Sequence, residues 1–458
     1  MKKITLLLLS VLFSFQSCST PDVEVDEATL QQIVSAAVAA AMAQYPSSQA
    51  IAAAAAAAAA DAVTQGLAGQ DAAIQAALDA ANALTNPPLE NVGTGGVTLI
   101  EGNVTWTNDK IWILDGKIVV VDGGNLTIEA GTIIKAQNGL GADSTTLVIA
   151  KGGTINAVGT AEKPIIFTDV NDNITYANDG VSPNRRLVDR GKWGSVIILG
   201  KASVGEDGGE DDIEGIVPGY DFTRYGGNDD ADNSGILKYV SIRHSGTDIG
   251  NGDELQGLTL GGVGNGTTIS DIEIIGSNDD GIEIFGGSVD VTNLVIINHK
   301  DDGIDLDEGY KGTITNAVVV MASDSDNPFE IDGTEDSTGT IDGQFTVRNV
   351  TVFGDSQQEA TNTMGHWKSS ATGLTQNVVY RDFPSGSSIE GIDSGTYQGQ
   401  GTATAAGQLL FDNFDFITTD DLSTITTVSG ASDWAQVLSS QAASTGANLS
   451  VFSWTLLQ

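Results

Sequence analysis

The sequence predicts an all-β chain: a single-stranded right-handed parallel β-helix preceded by an Ala-rich α-helical stalk. Three observations predict it. Asn278-Asp279-Asp280-Gly281-Ile282-Glu283-Ile284 returns as Lys300-Asp301-Asp302-Gly303-Ile304-Asp305-Leu306, offset by 22 residues. A short strand recurring at a nearly fixed interval marks a coil built rung by rung. A polar-apolar-x-apolar strand also recurs at Asp271, Asn293, Asn316, Asn349 and Asn377, at intervals of 22, 23, 33 and 28 residues. The longer intervals are rungs with inserted loops. Finally, the chain holds 56 Gly against 9 Pro and a single Cys. Glycine permits the positive-φ corners of a coil, and a solenoid of 458 residues grows lengthwise without splitting into globules.

The elements follow in chain order. Residues 1–17 read as a secretory signal: Met1-Lys2-Lys3 is basic, and Ile4 to Phe15 is mostly apolar but too short to span a bilayer. Cys18 stands where cleavage is expected, in a lipobox-like setting from which Phe15 and Gln16 depart. As the lone cysteine it has no disulfide partner, so lipidation is the reading, with residues 18–26 as a tether. This places the chain at the outer membrane or cell surface, touching the membrane through its lipid only. Residues 27–86 are rich in Ala, with Ile33, Val34, Ala37, Val38 and Ala41 at helical spacing and nine consecutive alanines from Ala52 to Ala60. Pro46 and the Gly66–Gly69 stretch divide them into two or three helices, a spacer or a small oligomerising stalk. Pro87-Pro88 is a stiff joint before the β region, residues 90–458.

Short strands then alternate with Gly, Asn and Asp turns, as in Ile111-Trp112-Ile113-Leu114 and Ile118-Val119-Val120-Val121. Gly124-Asn125-Leu126-Thr127-Ile128-Glu129-Ala130-Gly131-Thr132-Ile133-Ile134-Lys135, Ala161-Glu162-Lys163-Pro164-Ile165-Ile166-Phe167-Thr168 and Gly191-Lys192-Trp193-Gly194-Ser195-Val196-Ile197-Ile198-Leu199-Gly200 carry a resemblance. So do Asp232-Asn233-Ser234-Gly235-Ile236-Leu237-Lys238-Tyr239-Val240, Glu254-Leu255-Gln256-Gly257-Leu258-Thr259-Leu260-Gly261 and the terminal Val451-Phe452-Ser453-Trp454-Thr455. Over residues 91–458 the chain resembles a family of exported right-handed parallel β-helix lipoproteins of Gram-negative bacteria. The resemblance implies a pectin-lyase-like solenoid fold and export; it carries no activity.

In a strand, alternate side chains face inward. The leading Asp and Asn of the recurring strand therefore stack at about one strand spacing, ~4.8 Å, as a structural amide ladder. The same alternation points Ile282, Ile304 and Phe329 inward. Glu283, Asp305 and Glu330 then form an outward column beside Asp307 and Asp332, with Asp279 and Asp280 above Asp301 and Asp302 at the adjoining turn. Carboxylates one rung apart repel by roughly 1 kcal/mol in water and about fourfold more near a protein surface. Lys300 and Lys311 are the cations nearby in sequence. Hard oxygen ligands at Asp-rich Gly turns suit Ca²⁺, and all nine carboxylates are candidate ligands. The alternative is a solvated acidic face whose aspartates bond their own turns.

An enzyme needs more. Polygalacturonases pair close carboxylates and add a Gly-His-Gly and an Arg-x-Lys beyond them. Here Gly365-His366-Trp367 lacks the second glycine, and Arg190-Gly191-Lys192 lies upstream. No arginine-rich strand of the pectate lyase kind follows Asp307. His299 beside Asp301 offers one acid–base pair. Binding needs less: inserts at 171–191, 205–233, 324–343 and 355–375 wall a groove. Trp193, Tyr220, Tyr225 and Trp367 are the candidate glycan platforms, while Trp106, Trp112 and Trp454 read as caps of the coil ends.

The formal net charge of −40, from 60 acidic and 20 basic residues, excludes nucleic acid and anionic membrane as direct partners. An extracellular or envelope polysaccharide, or a protein, remains. The expectation is a non-catalytic glycan-binding or adhesive module. A calcium-dependent polysaccharide lyase or hydrolase and a structural surface component are the alternatives.

Overall fold

The structure, a computed structural model, describes residues 27–457 except 45–48, 65–69, 140, 217–220, 251–252, 338–342, 356–362, 393–394, 403–405 and 441–445. Cys18, the signal, the tether and Tyr220 lie outside the described residues. The chain divides into two compact units, residues 1–89 with 173–184, and 90–172 with 185–458.

In the first unit, helices Glu27–Gln44, Gln49–Thr64 and Gln70–Thr85 pack on one another. Ala37, Ala41, Ala55, Ala59, Ala73, Ala77 and Ala81 are fully buried at their seams, with Val34, Val38 and Ile51 beside them. Residues four apart share a helix face, so alanines at that spacing leave a smooth stripe for close approach. These stripes face each other within the chain. Residues 173–184, predicted as part of a groove-walling insert, belong to this unit, where Ala177 packs against the alanine core. No helix among the described residues is long and apolar enough to cross a membrane.

The second unit is the parallel β-helix. Strands Val196–Leu199, Leu258–Gly261, Ile282–Phe285, Ile304–Asp307, Phe329–Ile331, His366–Trp367 and Gly391–Ile392 stack in parallel register along one flank. Val196, Leu258, Ile282, Ile304 and Phe329 form one inward column, and Ile198, Leu260, Ile284, Leu306, Ile331 and Trp367 another, all inside the continuous core. Between them runs an outward column of Ile197, Thr259, Glu283, Asp305, Glu330 and His366.

A second flank stacks Gly235–Arg243, Thr268–Ile275, Val291–Ile297, Thr313–Val320, Phe345–Phe353, Gly373–Arg381 and Leu409–Ile417 in parallel register. The amide ladder is on its bend. Asn293 Nδ2 donates to Asp271 Oδ1 at 2.9 Å, Asn316 Nδ2 to Asn293 Oδ1 at 2.7 Å, and Asn377 Nδ2 to Asn349 Oδ1 at 2.6 Å. Asn413, not foreseen, extends it by donating to Asn377 Oδ1 at 2.9 Å. All of these residues are left-handed, with φ from 56° to 64°. Asn tolerates that region better than other side chains, so one residue type both turns the corner and ties the rungs.

Trp106 and Trp112 stack near the start of the coil, with centroids 5.7 Å apart. Trp454 does not cap an end. It meets the edge of Tyr239 at 5.5 Å, because residues 446–457 run back along the outside of the second flank. Ala447 N donates to Thr351 Oγ1 at 2.9 Å, Asn448 N to Asn316 Oδ1 at 2.6 Å and Leu456 N to Glu273 Oε1 at 2.5 Å. Phe452 packs on Ile275, Val295, Ile297 and Val318. Trp434 fills the later rungs instead, against Phe411 and Phe414.

Candidate metal centre

The Ile282, Ile304 and Phe329 strands pair residue for residue, Glu283 with Asp305 and Asp305 with Glu330. The turn before them also stacks: Asp302 N donates to Asp280 Oδ1 at 2.8 Å, and Asn327 N to Asp302 Oδ1 at 2.7 Å. All nine predicted carboxylates thus fall on adjacent rungs. A solvated face is not what they form. Asp279, Asp280, Glu283, Asp302 and Asp305 are buried, Asp307, Glu330 and Asp332 are half-buried, and Asp301 is exposed.

Ligating oxygens of Asp280, Glu283 and Asp305 lie within 4.8 Å of one another, as do those of Asp302, Asp305 and Glu330, and those of Asp301, Asp302 and Asp326. A further trio joins Asp279 and Asp301 to Glu254. Glu283 Oε2 and Asp305 Oδ1 are buried without a hydrogen-bond partner. Burial pushes the carboxyls of Asp280, Glu283, Asp302 and Asp305 well above the usual range, and neighbouring carboxylates push them further. Burial likewise raises Asp279 to about 10, aided by a hydrogen bond with Glu254, and Asp307 to about 7. A buried carboxylate without a partner is costly, so this column requires protons or a cation. Three or more convergent carboxylates are the hard donor set that Ca²⁺ takes.

Two basic side chains were missed as neighbours of the column in the sequence. Lys368 Nζ lies 2.9 Å from Glu330 and 3.3 Å from Asp332, and His366 Nδ1 lies 3.7 Å from Glu330 and 3.9 Å from Glu390. Both come from the rung after Glu330, whose long insert obscures the repeat; the signal was His366 in the column's own register. Lys311, expected near the column, pairs with Asp230 at 2.6 Å. His299 makes no acid–base pair with the Asp301 side chain. Its Nδ1 is 3.0 Å from the Asp301 main-chain carbonyl oxygen, and burial lowers its pKa to about 4.

The aromatic platforms are corrected as well. Trp193 is fully buried against Phe167, and its Nε1 donates to Arg243 O at 2.8 Å. Trp367 is fully buried among Phe329, Phe411 and Phe414. Tyr225 is buried against Phe285, with its hydroxyl bonded to Glu308. Enclosed rings cannot stack on a sugar. The 205–233 insert instead lays Ile213, Ile216 and Tyr225, together with the preceding Val204, over the apolar outer residues Val119, Val148, Ile197 and Leu199.

The family model for the pectate-lyase like beta helix domain matches residues 97–456. The chain belongs to that family. Comparison with curated proteins and with solved structures finds no match. In this β-helix the carboxylates occupy the outer face of one flank over several successive rungs, a position that places them beside the inserts.

Proposed function

We propose that the chain is a lipid-anchored protein of the outer membrane or cell surface whose β-helix is a non-catalytic, calcium-dependent binding module for a polysaccharide. One observation carries the calcium part. Glu283 Oε2 and Asp305 Oδ1 are buried, unpartnered and within reach of Asp280. A divalent ion there supplies the missing partners, and the column's exposed end offers Asp301 and half-buried Glu330 and Asp332 to a ligand that shares the ion. The family's likeness to pectate lyases supports a polysaccharide as that ligand. With −40 of net charge, an acidic glycan needs the bridging ion, whereas a neutral one binds through hydroxyls. The single Cys18 after an apolar leader supports the anchor.

The test is retention of the full chain on insoluble polysaccharides, in calcium and in chelator, with assay of the supernatant for reducing ends and unsaturated products. Calcium-dependent retention without products is expected. A second reading, a hydrolase or lyase, is favoured by His366 lying between Glu330 and Glu390 at the column's open end. Products that vanish in His366→Ala would establish it and defeat the first.

A further inference from the structure

Another group of carboxylates lies outside the column, where the 205–233 insert meets the coil. Glu206 comes from the loop opening the insert, Asp211 from strand Glu210–Asp212, and Glu308 from the turn after strand Ile304–Asp307. One oxygen from each lies within 4.8 Å of the other two. Independent bonds hold these segments together. Gly205 N donates to Glu308 O at 2.7 Å, Thr334 Oγ1 to Gly205 O at 3.1 Å, and Ser337 N to Asp207 Oδ1 at 2.9 Å. Asp211 is the antiparallel partner of Tyr225, whose hydroxyl donates to Glu308 Oε1.

Glu308 is 4% exposed, and its other oxygen, Oε2, is buried with no hydrogen-bond partner. Nearby cations are engaged elsewhere: Lys151 with Glu210, Arg224 with Glu210 and Asp212, and Lys311 with Asp230. Among the described residues no Lys, Arg or His forms an ion pair with Glu206, Asp211 or Glu308. Convergent carboxylates with one buried, unsatisfied oxygen form a hard donor set lacking its positive charge.

We propose that Glu206, Asp211 and Glu308 bind a divalent cation of the calcium class that clamps the 205–233 insert onto the coil. The ion gives Glu308 Oε2 its partner. It also ties the hairpin to the rung beneath and so keeps Ile213, Ile216 and Tyr225 over the apolar outer face of the first flank. This site stands whether or not the column is occupied.

The experiment counts calcium ions on the full chain by native mass spectrometry, with affinities from calorimetric titration. Asp211 is exposed on a short hairpin, so Asp211→Asn leaves the packing of the coil intact. Asp211→Asn and Glu308→Gln should each lose one ion, or weaken one site at least tenfold. The double variant Glu283→Gln/Asp305→Asn should keep that ion. An unchanged ion count and affinity in both Asp211→Asn and Glu308→Gln would overturn the proposal. So would loss of all binding in the column variant, which would leave the proposed column site standing alone.

Discussion

Asp305 occupies the middle of the column, and its Oδ1 has no donor within the protein. Burial first, and then Asp307, Asp302 and Glu330, favour its neutral form. Asn has nearly the same shape without the charge. In chelator, Asp305→Asn should therefore be more stable than the parent, by about 1–3 kcal/mol, because the amide removes a charge from the column and can donate to a neighbouring carboxylate. In calcium the gap should close or reverse. An ion at ~100 times its Kd stabilises the parent by about 2.7 kcal/mol, and the variant has lost a ligand. Denaturant midpoints in the two buffers measure both; a variant that gains as much from calcium as the parent contradicts the site. Asn377 poses a different question, because it donates to Asn349, accepts from Asn413 and sits at φ 59°. Asn377→Ala loses both bonds, at ~1 kcal/mol each, and replaces a residue that tolerates left-handed backbone with one for which that backbone costs about 1–2 kcal/mol. Asn377→Gly loses the bonds but not the conformation. The glycine variant should be the more stable by about 1 kcal/mol; equal midpoints would mean that the corner exerts no conformational demand.

Residues 446–457 act as one element across the second flank. Phe452 covers Val295 and Val318, which point outward and would otherwise meet water. The strap's N–H groups end on ladder and network side chains, Asn448 on Asn316 and Leu456 on Glu273. Glu273 also accepts from Ser241 Oγ at 2.5 Å and pairs with Arg243 at 3.5 Å, all of them buried. The strap thus seals an apolar stripe and completes a buried polar network. Phe452→Ala should cost about 3 kcal/mol, as for other buried phenylalanines. Deletion of residues 446–458 should expose the stripe and raise binding of a hydrophobic dye. An unchanged melting midpoint and dye signal in the deletion would show that the strap merely rests on the coil.

For the whole molecule, the rungs, their register and the Asn ladder were legible because each is a local pattern repeated: period 2 in the strands, and Asn at most of the left-handed bend positions. What surrounds the strands was not. The raised carboxyl of Glu283 depends, besides burial and Asp305, on remote residues such as Glu214 and Asp279, whose charges reach it only in the coil. Lys368 joins Glu330 across an insert of irregular length, and Trp367 turns inward because it follows His366 by one residue. Many carboxyls are raised at once, and this sets how stability responds to pH. In the ion-free protein the raised groups keep their protons in the fold to about 7 for Asp307, about 9 for Glu308 and about 10 for Asp279, whereas unfolded carboxyls release theirs near 4. Between those limits the native state binds more protons than the unfolded one, so stability falls as pH rises. Their stabilising contribution is complete below about pH 4 and is lost through the range 7–10. Calcium replaces the protons and should flatten the fall. The melting midpoint in chelator should therefore drop steadily from pH 5 to pH 9, and the gap between calcium and chelator should widen over the same range. Parallel curves, or a chelator curve that rises with pH, would mean that the column is neither protonated in the native state nor filled by the metal.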